Sequence, residues 1–74
     1  MNEISSKRSL LKLANRIKSL RRLNAVSQED AYNDTGIHFG RIEQGNRDVS
    51  YFTLVRISIY FDLTLEEFFS EGFN

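Results

Sequence analysis

The chain is poor in residues that make or break bonds. His38 is the only histidine, and there is no cysteine. Nucleophilic catalysis needs a nucleophile within hydrogen-bond reach of a base, and no such pairing stands out. No paired carboxylates suggest acid–base work, and no glycine-rich phosphate loop occurs. A single His without thiolates cannot complete a structural zinc site. No metal, no cofactor and no enzymatic activity are expected. His38 flanks an apolar face, so a packed or partly buried ring is expected there. What remains is binding chemistry. Amide and guanidinium side chains gather between Gln28 and Arg47, with Arg41, Gln44, Asn46 and Arg47 close together.

The net charge is zero, which alone argues against a phosphate-rich partner. Its distribution argues the other way. Residues 1–26 carry seven Lys/Arg and one Glu; residues 27–50 carry two Arg and five acids; residues 51–74 carry one Arg and four acids. That polarity can orient a molecule on a phosphate surface. Attraction between a basic first helix and an acidic last one is the alternative explanation. With 41% hydrophobic residues and six Phe in 74 residues, one core and one domain over 1–74 are expected, the core spanning about 9–69. No apolar run reaches the roughly 18 residues of a membrane span. Charges interrupt the first twenty residues, unlike a signal peptide, so a cytoplasmic protein without membrane contact is expected.

Those side chains must be held by helices, since no segment alternates long enough to be a strand. Leu10, Leu13, Ala14, Ile17 and Leu20 recur at helical spacing and predict a first helix over about 9–23. Asn24-Ala25 is the expected cap, Asn tolerating the left-handed conformation. Ser27 caps a second helix over about 28–33, with Asp30 at the reciprocal capping-box position. Thr35 caps a third over about 36–44, which Gly45 ends. Ser50 caps a fourth, with Leu54, Ile57, Ser58 and Phe61 on one side. Thr64 and Glu67 form a capping box that opens a last turn through Phe68 and Phe69. The expected fold is a compact all-α bundle of five helices.

Two short helices across a tight turn, braced by longer ones, describe a helix-turn-helix. The segments "RIKSLRRLNAVSQED", "GRIEQGNRD" and "TLVRISIYFDLTLEEFF" resemble the phage-repressor-like (Xre/Cro) helix-turn-helix family over most of the chain, Arg16 to Phe69. The resemblance implies a lambda-repressor-like five-helix head and sequence-selective binding of duplex DNA. It also implies that Arg21 and Glu43 pair to clamp the first helix to the third, that Gln28 touches a phosphate, and that Asn46 and Arg47 reach phosphates or the minor groove. Lys18 and Arg22, on the first helix, can add to the phosphate field.

The chain departs from the family between Gln28 and Gly45, which it spans in about three fewer residues. If the turn is short, the third helix is whole. Phe39 and Ile42 then make its core face, while Gly40, Gln44, Ile37 and Arg41 look outward. If the helix itself is short, His38 and Phe39 move toward the DNA. The short turn is expected, because it buries the Phe. Arg41 is then the base reader, able to bond guanine O6 and N7, with Gln44 beside it. Ile37 is placed against a thymine methyl or, alternatively, in the core. Thr35 is placed at a base or phosphate, although capping alone explains it. Gly36 and Gly40 border the outward face, where bare positions allow close approach to a groove wall or simply to the neighbouring helix.

The expected function is a small dimeric transcriptional repressor or controller on double-stranded DNA, regulated by abundance or by a partner. The homodimer is expected through Val55, Ile59 and Phe69. The rival is an antitoxin-like module that grips a toxin protein, using Glu66, Glu67 and Glu71 with Phe69 and Phe73.

Overall fold

The apolar stripe of the first segment forms a helix longer than expected. In the computed structural model, which describes residues 3–74, α1 runs Glu3–Leu23. Its start precedes the expected Ser9 because periodicity marks where a helix is buried, not where it begins. No Gly or Pro stands in Glu3–Arg8 to stop the helix. Leu13, Ala14, Ile17 and Leu20 are buried as expected. At its end the Val26 N–H reaches Arg21 O at 3.0 Å and the Ala25 N–H reaches Arg22 O at 3.0 Å. This is the paired bonding of a Schellman end. The left-handed residue is Ala25, at φ 55°, not Asn24. Asn24 instead donates its amide to Leu20 O at 2.7 Å.

The next boundary corrects the sequence reading. Helix α2 runs Gln28–Thr35 and α3 only Phe39–Ile42. Ser27 caps α2 by accepting the Asp30 N–H at 3.0 Å. Thr35 does not open α3; it closes α2. Its hydroxyl donates to Ala31 O at 2.7 Å and accepts the Ile37 N–H at 3.0 Å. Gly36 takes φ 75°, and its N–H bonds Tyr32 O. So Gly36 is a helix stop, the one position in this turn where a side chain would be strained. The turn is not short; the third helix is, at a single turn.

The short helix nevertheless keeps its core face. Phe39 is fully buried, and Ile42 is buried beside it. Ile37, expected outward, is 6% exposed and joins the core. The loop after α3 is longer than expected as a result, running 43–50.

Helix α4 (Tyr51–Tyr60) follows the Ser50 cap, and α5 (Leu65–Phe68) follows a complete Thr64/Glu67 capping box. Ile57, Ser58 and Phe61 face inward, with Leu54 half-buried beside them. Phe39 meets Phe61 edge-on at 6.2 Å, a favoured aromatic geometry. Burial of each such side chain stabilises by roughly 1.5–3 kcal/mol. Arg16 lies in α1's buried face and donates Nε to Phe68 O at 2.7 Å and Nη2 to Glu67 O at 2.9 Å. The radius of gyration is 11.8 Å, against about 11 Å for a compact chain of this length. All regular structure among the described residues is helical. No described helix is long and apolar enough to cross a membrane.

Candidate nucleic-acid interface

Arg21 and Glu43 are the frame of the site. Arg21 donates Nε to Glu43 Oε2 and Nη2 to Glu43 Oε1, both at 2.8 Å. Its third nitrogen, Nη1, donates to Val26 O at 2.9 Å. The Glu43 side chain is 3% exposed, so the pair is nearly dry. The hydrogen bonding to Glu43 and that residue's charge raise the Arg21 pKa above its ordinary value against the opposing effect of burial. A two-pronged guanidinium–carboxylate contact fixes orientation as well as distance. It ties the end of α1 to the end of α3.

Gln28 extends the lock. Its Nε2 donates to Glu43 Oε1 at 3.1 Å. The side chain crosses over Gly40, where an added Cβ would stand 3.2 Å from Gln28 Oε1. A bare Gly40 thus leaves room for the Gln28 side chain to reach Glu43. Gln28 stays exposed at the start of α2, with part of its amide committed to the frame.

From this frame Arg41 and Gln44 project into solvent, and Asn46 and Arg47 follow them exposed on the loop. Arg41, Arg47 and Arg56 line one shallow depression of about 310 Å³, together with Ser50 and Thr53. Arg41 also lines a second, of about 420 Å³, with Gln28, Tyr32, His38 and Gln44. Arg41 is thus the ridge between a basic hollow and an amide-and-aromatic one. Arg22 is exposed and Lys18 half-buried on α1.

Two expected base readers are not available. Ile37 is in the core. Thr35 has its hydroxyl donated within α2, which leaves no free proton for a base. His38 also differs from expectation. It is exposed, and its ring stacks on Tyr32 at 4.7 Å with 31° between planes. Sequence reasoning also missed Arg56, whose guanidinium donates to Thr35 O. Spacing gave no signal for the Tyr32–His38 contact, which exists only because α2 ends at Thr35.

The surface expected to pair two copies divides. Ile59 is 70% exposed, as is Phe52, one repeat of seven away on the same outward side of α4. Val55 is half-buried between them. Phe69 does not share this stripe. Its ring packs on Phe68 at 5.0 Å and Phe73 at 4.9 Å. It lines a cleft with Leu10, Leu13 and Leu54, and Leu54 lies on nearly the opposite side of α4 by helical spacing.

No family model matches the chain, and neither a curated protein nor a solved structure is significantly similar to it.

Proposed function

We propose that the chain is a sequence-selective regulator of the phage-repressor-like helix-turn-helix type, binding duplex DNA through α2, α3 and the loop that follows. The observation that carries the reading is the lock of Arg21, Glu43 and Gln28. It spends a nearly dry ion pair on holding a single helical turn, and from that turn Arg41, Gln44 and Arg47 project as hydrogen-bond donors. Arg41 and Gln44 are suited to base edges. Arg47, Asn46, Arg22, Lys18 and the open end of α2 at Gln28 are suited to phosphates. Sequence selection from random duplexes tests the assignment. Arg41→Ala should relax preference at one base pair per half-site, whereas Arg47→Ala should weaken all sequences alike. Enrichment of no sequence by the unaltered protein would contradict it.

Two copies pairing through Phe52, Val55 and Ile59 would present two recognition units to successive DNA turns, about 34 Å apart. Sedimentation should show this association on a selected duplex.

A second reading, a module that grips a toxin-like protein, is supported by the same exposed stripe, to which Tyr51 adds at 71% exposure. The acidic end is less available for that role. Glu67 is engaged in the α5 capping box, and Glu71 lies 3.5 Å from Arg16. Co-purification from the native host distinguishes a foreign partner from a second copy.

A further inference from the structure

The single-turn α3 leaves a gap at its front. A longer helix would offer an additional turn of side chains there. The chain offers instead the non-helical segment 36–38, of which Ile37 is buried and Gly36 has no side chain. His38 is therefore the one side chain that this segment presents outward.

Three observations set it apart from a stray surface ring. It forms no side-chain cap on α3. Neither ring nitrogen has a hydrogen-bond partner among the described residues, although the His38 carbonyl accepts the Arg41 and Ile42 N–H groups. And the ring is not left to rotate: Tyr32, on α2, stacks against it at 4.7 Å. A free donor–acceptor edge on an oriented ring has little rotamer freedom left to lose on binding, which favours affinity. His38 also lines both depressions that flank Arg41.

We infer that His38 is a second base-reading residue, replacing the missing turn, and that Tyr32 is its positioning residue. A protonated ring nitrogen of His38 would donate to N7 of a purine, or to guanine O6, on the major-groove edge. The base pair it reads lies next to that read by Arg41. The inference rests on the DNA reading above and adds to it a residue that the sequence turns toward DNA only if the third helix is short.

Sequence selection from random duplexes by the full chain, with His38→Ala, Tyr32→Leu and Tyr32→Phe, tests it. Both residues are exposed, and matching thermal melts confirm that each variant folds. His38→Ala should lose preference at one base pair per half-site, distinct from the pair lost in Arg41→Ala. Its affinity for the preferred duplex should fall roughly 5- to 150-fold, with binding to scrambled duplex unchanged. Tyr32→Leu should relax the same base pair to a smaller extent, and Tyr32→Phe, which keeps the stacked ring, should restore it. Retention of the full preference by His38→Ala, with affinity within twofold, would overturn the inference and leave the DNA reading standing. Absence of any preferred sequence for the unaltered protein would remove both.

Discussion

Arg16 and Arg21 leave the same helix, α1, and secure different parts of the fold with different partners. Arg21 meets a carboxylate, with two bonds of 2.8 Å to Glu43. Arg16 meets two backbone carbonyls at the end of α5, at 2.7 and 2.9 Å, while the carboxylate nearest to it, Glu71, is 3.5 Å away and 77% exposed. One buried charge is balanced by a full opposite charge. The other is balanced by carbonyls of a helix's last turn, where partial negative charge gathers. The first device gives direction and holds the proposed recognition turn. The second fastens the C-terminal turn and asks nothing particular of the residues it touches.

Removing the carboxylate should break the comparison most severely. Glu43→Ala leaves Arg21 nearly buried with only Val26 O to bond, and losing one member of such a pair costs roughly 3–5 kcal/mol. Stabilities of small domains begin at about 5 kcal/mol, which leaves roughly 0–2 kcal/mol, so urea or thermal melts should find the variant barely stable at room temperature. Arg16→Met keeps the aliphatic stem but forfeits the bonds to Phe68 O and Glu67 O. Each such bond is worth roughly 1.5–3 kcal/mol, but the variant removes the buried charge along with them and strands none, unlike Glu43→Ala, so melting should fall by less. Amide exchange should rise chiefly in α5, and duplex affinity per folded molecule should hold.

The turn beside Arg21 sharpens the contrast. Ala25 sits at φ 55°, a conformation that Gly adopts without a side-chain clash. Val26, next along, gives its carbonyl to Arg21, so the strained turn is part of the lock. Ala25→Gly should raise stability by about 0.5–1 kcal/mol, after allowance for the greater freedom of unfolded Gly. A lower melting temperature would show that the turn is not strained as described.

The smallest effect belongs to a surface tie. Tyr60 on α4 donates its hydroxyl to Asp34 at 2.6 Å, and that bond, followed by desolvation and the Asp34 charge, pushes the phenol pKa up to about 12 from 10.0. The folded value is the higher one. Its contribution is therefore complete below about pH 10 and is lost as pH rises through about 12. Tyr60→Phe should flatten the decline of stability in that window and lower stability slightly at neutral pH, where the bond is fully formed. The bond lies at the surface although the ring is half-buried, so both changes should be slight.

The pattern of what the sequence reveals follows the same division. Leu13, Ile17, Phe39, Ile57 and Phe61 were legible as core because burial imposes a period on the chain. The Thr64–Glu67 box was legible because both partners are side chains at fixed spacing. Arg21 and Glu43 were legible through resemblance. Arg16 has no side-chain complement to search for, since any residue supplies a carbonyl. Its spacing, three after Leu13 and four before Leu20, was the available signal. The α2–α3 boundary failed for a chemical reason. A threonine hydroxyl can accept from the helix ahead or donate to the helix behind, and a glycine serves either as a bare helical position or as a left-handed stop. Thr35-Gly36 does the second of each. Ile37 moved with it into the core, the alternative the sequence left open, and His38 moved outward as the short-helix alternative required, while Phe39 stayed buried.

Duplex binding across a salt series tests the central claim most directly. The unaltered protein is titrated onto its best selected duplex and onto a scrambled one. Log affinity should fall against log salt with a slope of roughly −0.9 for each phosphate contacted, and the selected duplex should bind more tightly at every salt concentration. A slope indistinguishable from zero, with equal affinity for both duplexes, would contradict the assignment of α2, α3 and Arg47 to DNA.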